Sequence, residues 1–293
     1  MNWNDIRMFL AVVRHGQILG AAHGLGLNHA TVARRLDALE KALGTRLVTR
    51  RTNGCELTEE GREFLPHAEQ MESAMLAAYD SARASGNTIS GTVRIGTPDG
   101  FGAVFLAPRI GEIVKRHPGL SIELVPVPRT FSLSRREADI AITIGRPRKG
   151  KLLARKLTDY SLGLYASTSY IQERGMPASL DDLLQHRLIG YVEDLLYSSA
   201  LDYTGEYHRD WRSAIAVSTA IGQHEVVRSG AGIGILHTFM ARPDPELVPV
   251  LPDHVLMRSY WTLIHEDLRP SRHVTAVAQF IREIVALNRA HFV

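Results

Sequence analysis

Three short apolar stripes, each at helical spacing and each stopped by a glycine, are packed into residues 4–44. Ile6, Phe9, Leu10 and Val13 form the first, and Gly16 ends it. Ala21, Ala22 and Leu25 form the second, and Gly26 ends it; the small alanines let a neighbouring helix approach closely. Val32, Leu36, Leu39 and Leu43, spaced four, three and four, form the third before Gly44. Asn28 precedes that third helix as an N-cap, its side chain able to accept from free backbone N–H groups. Three helices this short cannot bury their stripes alone, so they must pack as one small head.

With the third stripe turned inward, Asn28, His29, Ala30, Thr31, Arg34 and Arg35 fall on the outer face or its edges. A lone arginine pair on a helix is usually a solvated surface. Here it sits on the second helix of a tight pair joined through a glycine turn, the arrangement whose second helix enters a DNA major groove. A guanidinium suits that place because its fork can bond a guanine edge or a phosphate bidentately. Next, Leu47–Val48 and Glu56–Leu57 flank Asn53-Gly54, a two-residue hairpin signal. A hairpin carrying Arg50 and Arg51 reads as a wing reaching phosphates beside the recognition helix.

From Thr58, which caps it, a long helix is expected to about Ser85, with Glu59 and Glu60 complementing its dipole. Phe64, Ala68, Met71, Met75, Ala78 and Ala82 alternate by four and three. That is a heptad-like seam on a helix of roughly 40 Å at about 1.5 Å per residue, and it predicts a dimerisation stalk. Charge follows the same division. Residues 1–55 hold eight Lys/Arg against three Asp/Glu, and residues 56–90 hold two against seven. A basic block followed by an acidic one predicts an anion-binding head on a stalk, which the overall net charge of +3 conceals.

Residues 3–66 resemble the winged helix-turn-helix of the LysR-type transcriptional regulators. The matching residues are Ala21-Ala22, Leu25-Gly26, Val32, Arg34, Leu39-Glu40, Leu43-Gly44, Leu47, Arg50, Leu57-Thr58 and Gly61. There are departures: Asn28-His29 stands for the family's Ser-Gln, Ala33 for a Ser, Asn53 for a second wing Arg and Gln17 for a Ser cap. The first of these positions face DNA in the family, so the half-site read here would be unusual. His29 can donate to a base or phosphate, but not bidentately as Gln does. The resemblance extends over nearly the whole chain. It implies a winged helix-turn-helix (1–58), a linker or dimerisation helix (59–89) and a two-lobed α/β effector domain of the type 2 periplasmic-binding-protein kind (90–293). It implies crossover strands near Asp159–Ser161 and His265–Leu268, giving lobe I as 90–160 with 267–293 and lobe II as 161–266.

Residues beyond the glycine-rich hinge at 86–91 show the alternating β and helical patterns of an α/β fold on their own account. "TVRIG", "SIELVPV", "ADIAITIG", "SLGLYAS", "RLIGY", "AIAVS", "GIGIL" and "YWTLIH" read as strands, and residues 271–288 as an amphipathic helix. In such a domain the effector lies between the lobes, where strands end and helix N-termini offer N–H groups. Thr97, Pro98, Asp99 and Phe101 are expected on one wall, Ser218 and Thr219 on the other, and Gly145 and Arg146 nearby. Asp99 and Thr219 are equally suited to capping helices, and Arg146 to plain surface or to clamping a carboxylate. Asp99 would repel an anion and favour an amine or hydroxyl, so the effector's charge stays open.

The function expected is an effector-responsive transcription factor, a dimer of dimers on a promoter inverted repeat, with RNA polymerase a further partner there. Its rival is a cytoplasmic small-molecule receptor or lobed enzyme whose helical head does not bind DNA. Little favours an enzyme: there is no Gly-x-Ser-x-Gly elbow, no Gly-Lys-Ser/Thr phosphate loop and no His-Glu-x-x-His. The glycines of "SGAGIGIL" precede a strand rather than a helix. The thirteen histidines lack metal spacing, so no cofactor or metal is expected. A lone Cys55 permits no disulfide within one chain. The N-terminus has no basic start with an apolar core, and nothing approaches the roughly 20 apolar residues of a membrane span. Both point to the cytoplasm.

Overall fold

The computed structural model describes the chain except residues 1, 52–53, 84–88, 134–136, 147–151 and 269–270, together with some side chains of the long helix and that of residue 267. Two compact units divide between residues 87 and 88.

The first unit opens with α1 (Trp3–His15), α2 (Ile18–Leu25) and α3 (His29–Leu43). Gly16, Gly26 and Gly44 each close a helix in the left-handed conformation, with φ of 67°, 64° and 72°. Asn2 and Asp5 start α1 as a reciprocal capping box. Phe9, Leu10, Ala21, Ala22, Val32, Leu36 and Leu39 are buried together, so the three stripes meet as one core. Leu43, in the last turn of α3, departs from the expected stripe and is 36% exposed.

Strands β1 (Val48–Arg51) and β2 (Gly54–Leu57) pair antiparallel, with Arg51 opposite Gly54. Gly54 is therefore the first residue of β2, not the second residue of the turn. Its glycine has another cause: a Cβ there would lie 2.7 Å from the Gly16 carbonyl oxygen. Helix α4 (Glu59–Arg83) begins on Thr58, whose Oγ1 accepts from the Gly61 amide at 2.9 Å and donates to the Arg46 carbonyl at 2.7 Å. Phe64 and Ala68, expected on the dimer seam, belong to the head's own core. Ala68 is fully buried, and the Phe64 ring lies 5.5 Å from that of Phe9. Further along, Met71 is 39% exposed, Met75 half-buried and Ala78 exposed, while the side chain of Ala82 lies outside the described residues.

The second unit is built on one eight-stranded sheet in the order β4-β3-β5-β10-β6-β9-β7-β8. β3 (Ser90–Thr97), β4 (Gly119–Pro126) and β5 (Ile140–Ile144) run parallel and form the first lobe's share. β7 (Leu188–Gly190), β8 (Ser213–Ala216) and β9 (Ile233–His237) run parallel and form the second's. β6 (Leu152–Ser167) and β10 (Leu247–His265) are long antiparallel partners that pass through both. β10 pairs with β5 over 260–264, whereas β6 pairs with β9 over 162–165. Both chains therefore cross between lobes at the same level, where Met257, Arg258 and Ser259 face Ser161, Tyr160 and Asp159. This corrects the expected second crossing at His265–Leu268: that segment only ends β10 and turns into the C-terminal helix. The prolines at 249 and 252 hid the strand's first half. They are tolerated because that half has β6 alone as its partner, leaving its other edge unpaired.

Candidate nucleic-acid interface and effector cleft

In the head, Asn28 accepts from the Ala30 amide at 2.9 Å and so fixes where α3 begins. Asn28, His29, Ala30 and Arg34 are exposed and Thr31 is half-buried, on the side opposite Val32, Leu36 and Leu39. The two arginines are not equivalent. Arg34 is exposed, with no ion pair among the described residues. Arg35 reaches back to α1, its Nη1 lying 3.2 Å from Asp5 Oδ1 at 40% side-chain exposure. Asp5 is buried and already bonded to the start of α1, so Arg35 braces the head and offers only part of its guanidinium outward.

The wing is held onto α3 by a group that sequence reasoning had noted only as part of a motif. Glu40 Oε1 accepts from the amides of Leu47 and Val48 at 2.8 and 3.0 Å, satisfying the first donors of β1. Arg50 pairs with Asp37 of α3 at 2.5 Å, and Arg51 pairs with Glu56 across the hairpin at 3.2 Å. All four side chains are at least 44% exposed. Exposed pairs of this kind are worth about 0–1 kcal/mol, so phosphates can replace the carboxylates cheaply. Asn53, the remaining expected wing contact, lies outside the described residues.

In the second unit the expected effector residues divide into two groups. Thr97 ends β3, Pro98 and Asp99 follow it, and all three are buried. The Asp99 carboxylate crosses to the other lobe and accepts from the Ile221 amide at 3.1 Å, at the start of α8 (Ala220–Arg228; α5 is Gly111–Arg116, α6 Thr168–Arg174, α7 Thr204–Tyr207). Thr219 caps the same helix, accepting from the Gly222 amide at 3.0 Å, and Ser218 stands half-buried beside it. Gly100 sits so close to this helix that a Cβ on it would meet Met240 Sδ at 2.9 Å and the Ala220 Cβ at 3.4 Å. The structure thus brings Asp99 and Thr219 together on the start of α8, with Thr97 and Ser218 their near neighbours in sequence.

Phe101 is elsewhere, correcting its place on the wall. It opens a π-helical turn (Phe101–Leu106), is fully buried, and lies 4.8 Å from the Tyr260 ring and 6.1 Å from that of Phe292. Gly145 ends β5 at φ 77° and donates to the Ser259 carbonyl at 2.9 Å. Arg146 is exposed and lies over the Trp261 ring, 5.7 Å from its centroid. A separate cavity of about 390 Å³, lined by Ser161, Tyr165, Thr238, Val250, His254 and Met257 among others, contains none of the expected effector residues.

Sequence reasoning missed the tyrosines around Asp99. Tyr160 and Tyr260 come from the two crossing strands and stack at 4.1 Å and 16°. Tyr191, Tyr197 and Tyr203 come from the second lobe, and burial raises the pKa of all five phenols. His237 stacks on Tyr160 at 5.2 Å, and burial lowers its pKa to about 4, so it is neutral near pH 7. Spaced so widely along the chain, these residues carry no local signal.

Comparison with known proteins decides what this combination is. Residues 3–62 match the bacterial regulatory helix-turn-helix protein model of the lysR family, and residues 86–286 match the LysR substrate binding domain. The chain belongs to the LysR family of transcriptional regulators. An HTH-type transcriptional regulator of Xanthomonas campestris is 32% identical over 186 residues, covering 64% of this chain and 54% of that relative's length. The regulator CrgA of Neisseria meningitidis is 28% identical over 261 residues, covering 86% of each chain. The CrgA structure superposes with a TM-score of 0.60 at 24% identity, covering 97% of this chain and 98% of that one. Full-length AphB, a virulence activator of Vibrio cholerae, superposes at 0.59 and 24% identity, covering 96% and 98%. This LysR-type regulator therefore joins a DNA-binding helix-turn-helix to an effector-binding domain, and it is no enzyme.

Burial raises the pKa of Asp99 above the ordinary aspartate value, and the amides of Ile221, Ala220 and Gly100 offset this only in part. The sign follows from linkage. A carboxyl whose folded pKa is raised contributes stability below the unfolded value near 3.8 and loses it as pH rises through the folded value. The difference in melting temperature, Asp99→Asn minus the parent regulator, is therefore expected to grow more positive from pH 3.5 to pH 7. A difference that shrinks over that range would show that the amides outweigh burial.

Proposed function

We propose that the regulator reads an inverted-repeat promoter site as a dimer, paired again into a tetramer, with α3 of each copy in a major groove. Arg34 reads a base edge. Asn28, His29, Ala30 and Thr31 line the groove, while Arg35, Arg50, Arg51 and Asn53 meet phosphates. The observation that carries this reading is Arg34: exposed and without an ion pair, on the outer face of a helix whose other side is fully buried. The seam for self-association is the part of α4 beyond the head's own core, from Met71 through Met75 and Ala78 to Ala82. RNA polymerase is the partner the regulator would meet at the promoter, in the cytoplasm.

The second half of the reading is the switch. A small molecule taken between the lobes, against Thr97, Asp99, Ser218 and Thr219, changes how the paired heads bend DNA. Convergence of Asp99 and Thr219, from the two lobes, on the start of α8 supports that placement.

The test is binding of a promoter fragment by the full-length protein across a salt series. Each phosphate contact adds about 0.9 to the slope of log K against log salt. Arg50→Ala with Arg51→Ala is expected to flatten the slope by about 1.8. A slope unchanged by the double variant would remove the wing from the interface.

A further inference from the structure

Asp99 is a buried carboxylate without a cation. Its side chain lies between the lobes, and among the described residues no lysine or arginine pairs with it. Arg258 is already paired with Glu206 and donates to the Ala200 carbonyl. Burial keeps His237 neutral near pH 7. A buried ionised carboxylate without a partner is costly, and proteins ordinarily compensate it with a positive charge.

The start of α8 would be the natural seat for an acidic ligand, since its first amides are free donors. Here the chain's own Asp99 takes the Ile221 amide. An acid placed there would have to displace Asp99 and leave two carboxylates together in a dry site.

Of the crossing-strand tyrosines, Tyr260 is near enough for the Asp99 carboxylate to help raise its pKa, and three buried hydroxyls belong to this part of the molecule. The hydroxyls of Tyr160 and Tyr260 have only each other as side-chain partners, and the buried Oγ1 of Thr97 has none. All three residues are fully buried. The loop after β3 joins them: Asp99 and Thr97 flank Pro98, and Phe101 touches the Tyr260 ring, which stacks on Tyr160. A buried hydroxyl short of hydrogen bonds is costly unless a ligand supplies the missing one. Phenol oxygens accept from N–H donors, and aromatic rings attract cations.

From this geometry we infer that the effector is a small protonated amine, its ammonium paired with Asp99 and surrounded by the hydroxyls of Tyr160, Tyr260 and Thr97. This rests on the placement of the effector between the lobes and adds the chemistry that the pocket selects.

The test uses the full-length regulator and probe pairs in which each aminomethyl group is exchanged for a carboxylate: phenethylamine with phenylacetate, ethanolamine with glycolate, and putrescine with succinate. Binding is read by thermal shift and by calorimetry. At least one amine is expected to bind while its matched acid does not. Asp99→Asn keeps the bond to α8 but removes the charge, and should weaken the amine about tenfold or more. Tyr160→Phe should weaken it several-fold. A cooperative melting transition of the effector-binding unit, measured without ligand, confirms that each variant is folded.

An acid that binds better than its amine, an amine that binds Asp99→Asn as well as the parent, or a panel in which no amine binds would overturn the assignment. These failures differ from failure of the site itself. Acid binding abolished by Thr219→Ala would overturn the amine and keep the cleft. Binding unchanged by Asp99→Asn, Tyr160→Phe and Thr219→Ala alike would place the ligand elsewhere and overturn both.

Discussion

Phe101→Ala is expected to destabilise the effector-binding unit by about 3–5 kcal/mol, the usual loss when a buried phenylalanine is cut back to alanine. The ring is fully buried and touches Phe105, Tyr260 and Phe292, so its removal leaves a hole lined by other rings. Those neighbours are themselves buried, which limits how far the site can collapse. A pocket-lining phenylalanine would behave differently, with effector affinity falling while the melting transition of residues 90–293 stayed in place. Denaturant unfolding of that unit distinguishes the two. Loss of well under 1 kcal/mol would return Phe101 to the cleft wall.

Gly61→Ala is the second large effect, and here two forces oppose. Alanine in a helix interior gains about 1 kcal/mol over glycine. A Cβ at position 61, however, would lie 2.0 Å from the Leu47 carbonyl oxygen, a backbone atom at the root of the wing. Overpacking of this kind costs about 3 kcal/mol at the top of its usual range. The net expectation is a head destabilised by about 2 kcal/mol, with α4 pushed off the wing. DNA affinity should fall while the melting of the effector-binding unit stays unchanged. A variant more stable than the parent would mean that α4 can slide away from β1 without loss.

How far the fold was readable follows from where its signals are local. The stripes of α1, α2 and α3 repeat every turn and end on glycines that must adopt positive φ, so periodicity and punctuation agreed. Gly54 misled because Asn-Gly is a turn signal, whereas this glycine is required by a carbonyl 38 residues away in sequence, that of Gly16. Phe64 and Ala68 mimic a dimer seam because a stripe facing Phe9 has the same spacing as one facing a second chain. The long strands β6 and β10 were cut short in the reading because their outlying halves carry charges or prolines on an edge, where alternation is weak.

In the effector domain, Asp99 and Thr219 were legible as residues at element ends, but their meeting on one helix was not. Phe101 was expected on the cleft wall beside Asp99, although it already belongs to the core. The tyrosines gathered there by the crossing strands and by the second lobe are invisible to any window shorter than the domain.

The central claim is that Arg34 of α3 reads DNA sequence. It is tested most directly by titrating the parent regulator and Arg34→Ala against a promoter fragment containing the inverted repeat and against a scrambled fragment of equal length, at fixed salt. The expected result is a loss of about 1–3 kcal/mol on the repeat, with the scrambled fragment bound nearly as before. Equal losses on both fragments would make Arg34 a phosphate contact, and no loss on either would contradict the claim.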